Sequence, residues 1–242
     1  MLVVTAHPDD EAGGFGGTLA LYASRGVEIH VVCLTAGTAA RNRGAANNNE
    51  ELAAMRRAEF DASCALLRVS GEVLDYPDAG LLRSPLQEPI ADLVLRIRRY
   101  KPHIVLTFGP DGGLTGHMDH AMAGVFASLA FQWAARSERF ADQLTADLEI
   151  HRAQKLYWNT ASFMVPQRPP VALSPATATI EIGEFLETKI RAFKQHLTQA
   201  PLFPFFEQNM RRMASVELFH LAALAEPRPL ELEHDLLAGV TP

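Results

Sequence analysis

Cysteine is scarce in this chain of 242 residues: there are two, Cys33 and Cys64. Two thiols cannot build the disulfide framework of a small secreted scaffold. Cys33 falls in an apolar strand-like run and Cys64 in a helical pattern, so both read as buried thiols. Positive charge is also short, with 22 Lys and Arg against 28 Asp and Glu, a formal net charge of −6. That balance argues against the basic footprint of a nucleic-acid-binding protein. No apolar run approaches the ~20 residues of a membrane-spanning helix, and no basic segment followed by an apolar stretch opens the chain. A cytoplasmic protein with no membrane-spanning segment is the expectation. Internal repeats and low-complexity tracts are missing too. What is present is an ordinary globular composition, 48% apolar and 21% charged, in a length that suits one α/β domain.

Strand and helix patterns alternate along that length. Residues 2–6 read as a short strand, apolar on both faces, and 18–24 as a helix closed by Gly26. A second strand, 27–34, is rich in β-branched residues. A long polar loop follows at 35–49, with three consecutive asparagines. The pattern then predicts a helix at 50–67, a strand at 72–76, a helix at 86–100, a strand at 103–108 and a helix at 117–135. Later elements are weaker: strands at 155–158 and 177–182 around a proline-bearing loop at 166–175, then helices at 183–197 and 210–223. From about residue 227 the tail reads as irregular. The alternation predicts an α/β fold, a Rossmann-like and mostly parallel sheet with helices on both faces. A single domain over 1–242 is expected.

Two clusters carry chemistry. The first, Ala6-His7-Pro8-Asp9-Asp10-Glu11, puts one imidazole and three carboxylates at the mouth of the first strand. Carboxylates in such a place need pairing or a metal. The second, Gly116-His117-Met118-Asp119-His120, follows the fourth strand. Open α/β sheets place ligands just past the carboxyl ends of their strands, where both clusters fall. His7, Asp10 and His120 make a donor set that suits a catalytic zinc, and equally a non-heme iron. With Asp10 on the metal, Asp9 is free to take a proton from the metal-bound water. His117 and His120 share one side of a helix start, so His117 can face the reacting group as acid or oxyanion donor. Taken singly, these residues have plainer readings, a solvated histidine or an aspartate capping a helix. The Gly13-Gly14-Phe15-Gly16-Gly17 segment lacks the spacing of a dinucleotide fingerprint.

The hexapeptide, the Gly16–Ala20 stretch GGTLA and the later GHMDH together resemble the zinc-dependent de-N-acetylases. These are the N-acetylglucosaminyl-phosphatidylinositol and LmbE-like deacetylases, with the deacetylases of mycothiol and bacillithiol biosynthesis. The resemblance implies that His7, Asp10 and His120 bind Zn2+ and that Asp9 is the general base. It implies that His117 stabilises the tetrahedral intermediate or protonates the amine, with Asp119 orienting His117. The implied activity is removal of an N-acetyl or related N-acyl group from an amino sugar or its conjugate, a small-molecule substrate. A non-catalytic metal- or sugar-binding protein and a non-heme iron oxygenase are the alternatives, and a homo-oligomer is left open.

Three weaker matches extend the resemblance. Arg56 and Glu59 stand where the family has an arginine and a glutamate, and the arginine contacts substrate in some members. Asp78 matches an aspartate-glycine turn. His196 matches the histidine of a late helix, near the site in some members, so Arg56 and His196 are candidate substrate-binding residues. Without the resemblance, Arg56 reads as a solvated helix charge, Asp78 as a turn former and His196 as a surface side chain. Met118 stands where proline is common and Arg68 where glycine is. The 36–49 loop and the region after Pro166 match nothing specific.

Overall fold

Leu2, Val3, Val4 and Thr5 offer no charged face, and β1 (Leu2–Thr5) is buried along its whole length. After it come α1 (Asp10–Ser24), β2 (His30–Thr35), α2 (Asn49–Leu67), β3 (Ser70–Tyr76), α3 (Gln87–Tyr100) and β4 (Ile104–Phe108). Then follow α4 (Met118–Trp133), β5 (Lys155–Thr160), β6 (Ala178–Glu181), α5 (Leu186–Phe193), α6 (Phe203–Met213) and β7 (Val216–Leu224). This computed structural model describes residues 1–161, 172–213 and 215–241. Most of the expected proline-bearing loop lies outside the described residues. The strands form one seven-stranded sheet in the order β3-β2-β1-β4-β5-β7-β6. β1 with β4, β2 with β3 and β4 with β5 are parallel pairs, and β7 runs antiparallel to β5. The Rossmann-like α/β class expected from the alternation is the class observed.

Contacts divide the chain into two compact units. One comprises Met1–Val4, Gly80–Thr179 and Leu218–Pro242. Its core joins Val3, Val105, Leu106 and Tyr157 of the strands to Ile90, Leu93, Val94 and Ile97 of α3 and Phe126 and Ala130 of α4. Arg98 is fully buried there, its guanidinium donating to the carbonyls of Ala134, Arg136, Arg139 and Phe140. The tail beyond 227 is irregular as expected, yet it is anchored: Glu233 is buried and takes Lys155 Nζ at 2.7 Å.

The other unit comprises Thr5–Ala79 and Ile180–Glu217. Two expectations fail in or next to it. The glycine-rich segment 13–17 is helical, because α1 begins at Asp10 rather than at residue 18. Its glycines serve close packing: a Cβ on Gly17 would stand 2.5 Å from Ile182 Cδ1. The helix expected at 210–223 is broken by a strand. Val216–Leu224 alternates in burial, with Glu217, Phe219 and Leu221 buried, so its period is two and the apolar content alone misled. Buried Glu217 accepts from the amides of Gly17 (3.0 Å) and Thr18 (2.8 Å) and from Lys189 Nζ (2.6 Å). The three asparagines close the long polar loop as a helix cap. Asn48 accepts from Glu51 N–H, and the Glu51 carboxylate returns to Asn47 and Asn48.

Candidate active-site residues

Past β1 the chain turns on its own carboxylates. Asp10, buried, folds back so that its Oδ2 accepts from the amides of Ala6 (3.1 Å) and His7 (2.8 Å). Glu11 reaches back to the Asp9 amide at 3.0 Å. The two residues after Asp9 therefore satisfy the donors of the turn, and the Asp9 side chain makes no cap bond to α1. Asp9 itself sits at φ 114, a left-handed conformation that favours glycine. Holding such a residue there costs on the order of 1–3 kcal/mol and needs a surrounding structure that enforces it.

Arg56 is part of that enforcement. It lies on the buried face of α2, and its guanidinium reaches Asp9 Oδ2 at 3.0 Å, Gly37 O at 2.9 Å and Pro8 O. Burial pushes the Asp9 carboxyl up to about 6 against the opposing pull of Arg56. His7 lies with its Nε2 3.1 Å from Asp78 Oδ1 and its Nδ1 3.6 Å from Asp10 Oδ2. In the neutral ring the Asp78 carboxylate takes the Nε2 proton, and Nδ1 keeps the lone pair on the Asp10 side. Asp78 also accepts from Ala39 N–H at 2.6 Å. Burial works against its ionisation, but the hydrogen bonds from His7 and the Ala39 amide hold its carboxyl below the usual range.

The face of α2 that carries Arg56 carries two more polar residues at helical spacing, Glu59 and Ser63, both buried. Glu59 takes the amide and hydroxyl of Thr198, each at 2.7 Å. Ser63 donates to Glu11 Oε1 at 2.5 Å, and His196 Nε2 meets the same oxygen at 2.7 Å. Burial opposes charge on both Glu11 and His196. Their mutual attraction prevails, lowering the Glu11 carboxyl and raising the His196 imidazolium.

The second cluster is built on the start of α4, in the other unit. His117 is the N-cap residue, and its Nδ1 accepts the Asp119 amide at 3.1 Å. His120 stacks on Phe108, centroids 4.1 Å apart, and its Nδ1 lies 3.2 Å from Gly112 O. Gly112 has φ +78, and a Cβ there would stand 2.6 Å from His117 O, so glycine is what the turn allows. These two bonds set opposite tautomers. A carbonyl only accepts, so in the contact with Gly112 it is His120 Nδ1 that donates, the tautomer that binding through Nε2 requires. An amide only donates, so neutral His117 carries its proton on Nε2 and is a hydrogen-bond donor there. Buried Asp119 accepts from Leu81 N–H at 3.2 Å through Oδ1.

Within one unit the fold thus joins Asp9 to Arg56, His7 to Asp10 and Asp78, and Glu11 to His196; within the other it joins His117, Asp119 and His120. The plain readings of Arg56 as a solvated charge and His196 as a surface residue fail, since they are 3% and 0% exposed. Both were also candidate substrate-binding residues, and each meets a carboxylate of the hexapeptide. Sequence reasoning gave no role to Glu11 or Ser63. The available signal was a serine at the buried phase of α2, seven residues past Arg56.

The family model described as PIG-L: GlcNAc-PI de-N-acetylase matches residues 2–131. The chain is 31% identical to the 1D-myo-inositol 2-acetamido-2-deoxy-alpha-D-glucopyranoside deacetylase 2 of Catenulispora acidiphila, over 99% of this chain and 97% of that protein. Among solved structures, N,N'-diacetylchitobiose deacetylase from Pyrococcus horikoshii superposes with a TM-score of 0.73 at 24% identity, covering 91% of this chain and 82% of that one. The 4-carboxy-2-hydroxymuconate hydratase GalB from Pseudomonas putida also gives a TM-score of 0.73, at 21% identity, covering 95% and 98%. At those identities the structures speak to fold alone, which hosts more than one chemistry. The family match and the near full-length relative decide the rest: this chain belongs to the PIG-L family of LmbE-like de-N-acetylases.

Proposed function

We propose that the chain, as one deacetylase domain over 1–242, is a zinc-dependent enzyme that removes an N-acetyl or related N-acyl group from an amino sugar or its conjugate. The observation that carries this is the pair of contacts at the start of α4, His120 Nδ1 on Gly112 O and the Asp119 amide on His117 Nδ1, which suit one imidazole to be a ligand and its neighbour to be a hydrogen-bond donor. One further fact supports it. Among relatives, the Catenulispora protein is named a deacetylase of an acetamido sugar joined to inositol. His7, Asp10 and His120 are the proposed ligands, two imidazoles and a carboxylate of the kind zinc accepts. Among the described residues no helix is long and apolar enough to cross a membrane, and a cytoplasmic location belongs to this proposal.

A zinc ion held there supplies a Lewis acid for the amide carbonyl and lowers the pKa of water. The chain's own groups do the remainder. Asp9, oriented by Arg56, takes the proton of the attacking water. His117 offers its Nε2–H as a hydrogen bond to the carbonyl oxygen as it gains charge, and the proton that Asp9 removed from water passes to the departing amine. Asp119, through its amide on Nδ1, keeps His117 in the donating tautomer. Arg56, being buried, acts on substrate through Asp9, and His196, also buried, faces Glu11 rather than substrate.

The test is a panel of N-acetylglucosamine conjugates with released amine as readout, on protein stripped by chelator and reloaded with zinc or iron. Activity should vanish with the metal and return with zinc. His120→Gln should lose the metal, whereas His117→Gln and Asp9→Ala should keep it and lose kcat. Amide hydrolysis intact in zinc-loaded Asp9→Ala would refute the proposed base. Metal binding with no turnover on any conjugate would favour a binding protein, and oxygen consumption by the iron form would favour an oxygenase.

A further inference from the structure

Glu11 is a carboxylate with no solvent exposure and no part in the proposed reaction. Its Oε1 takes Ser63 Oγ at 2.5 Å and His196 Nε2 at 2.7 Å, and its Oε2 takes the Asp9 amide at 3.0 Å. An acidic residue in the first turn of a helix is ordinary, but it does its work solvated. Burying it requires compensation. Here the compensation comes from His196, 185 residues away and also fully buried. The other ring nitrogen of His196, Nδ1, is buried with no hydrogen-bond partner among the described residues, so the polar contact of that ring goes to Glu11.

Anchored on two sides through Oε1, the Glu11 carboxylate has one direction left for Oε2, toward the Asp9 amide. That amide belongs to the residue held at φ 114. A strained left-handed residue persists only where its surroundings over-determine it. With the amide released, Asp9 relaxes toward negative φ, and its carboxylate swings away from Arg56.

We propose that Glu11, backed by His196 and Ser63, is a positioning residue that holds Asp9 in its left-handed turn and so aims the Asp9 carboxylate. The activity arm of its test rests on the de-N-acetylase reading; the conformational arm does not.

The experiment compares wild type with Glu11→Gln, His196→Gln, the double variant and Ser63→Ala. Hydrogen exchange read by mass spectrometry on a peptide spanning residues 6–14 is the conformational arm. Exchange at the Asp9 amide should rise in Glu11→Gln and His196→Gln. In the activity arm, Glu11→Gln should lower kcat by about 100-fold, the scale of a roughly 1 Å misplacement. KM should stay within about twofold and the zinc content at the wild-type level. The double variant should lose no more than about threefold beyond Glu11→Gln, because the two side chains act as one unit. Ser63→Ala, a change the fold should tolerate, should lower kcat by about threefold to tenfold at unchanged KM, the scale of one hydrogen bond. Wild-type exchange at Asp9 in Glu11→Gln would overturn the proposal. So would a kcat loss matched by zinc loss, or an unchanged kcat in Ser63→Ala. Should Glu11→Gln not fold, His196→Gln and Ser63→Ala decide. A wild type inactive on every conjugate would count against the de-N-acetylase reading alone, and exchange would still judge the positioning.

Discussion

Replacing Glu217 by alanine removes one acceptor from three buried donors at once. The Gly17 and Thr18 amides lie inside α1 and both donate to Glu217, as Lys189 does. The Lys189 and Glu217 side chains are 3% and 4% exposed, so loss of one leaves a buried charge uncompensated. Breaking such a pair costs about 3–5 kcal/mol. The two amides add less than their separate values of about 1–3 kcal/mol, since an amide inside a helix also faces the carbonyl four residues back. A total of about 4 kcal/mol, with a urea slope of about 3 kcal/mol/M, moves the unfolding midpoint down by about 1.3 M. Far-UV circular dichroism is the suitable probe, because Trp133 and Trp158 both belong to the other unit. The double variant Lys189→Met with Glu217→Met should recover most of the loss, since apolar replacements of a buried pair are often neutral. A midpoint shift below about 0.3 M for Glu217→Ala, or a double variant no better than the single one, would refute this reasoning.

Gly17→Ala should lower stability by about 1–3 kcal/mol, because its Cβ would stand 2.5 Å from Ile182 Cδ1; Ile182→Ala in the same chain should return part of the melting temperature. Arg56→Lys should lower kcat almost as far as Arg56→Met in the amine-release assay. One ammonium cannot replace a planar fork that serves Asp9, Pro8 and Gly37 together. His151 donates Nε2–H to Pro102 O, and burial lowers its pKa below the usual histidine value. The unfolded chain therefore takes up that proton first, so the contribution of His151 is full above about 6.5 and erodes as pH falls through that value. The melting temperature of His151→Gln should fall less than that of wild type between pH 7 and pH 5, a difference read by calorimetry.

The sequence by itself determined the alternation of strands and helices up to α4 and the chemistry of two short clusters. Those features are local: β-branched runs with no charged face, helices closed by Gly26 or by Lys101-Pro102, and imidazoles and carboxylates packed within five residues. The tertiary structure alone decided which partners complete them. Nothing local distinguishes Arg56 from a solvated helix charge or His196 from a surface ring; each is buried because a carboxylate of the hexapeptide stands opposite it. The glycines at 13–17 read as a loop until Ile182 and Lys189 come up against α1 and make small residues a packing need. Glu217 looked helical because a short apolar run has no unambiguous period, and only its pairing as a strand aims its carboxylate at amides 199 and 200 residues earlier. Propensity and pattern act over a few residues, whereas the compensation of a buried charge acts over whatever distance in sequence the fold closes.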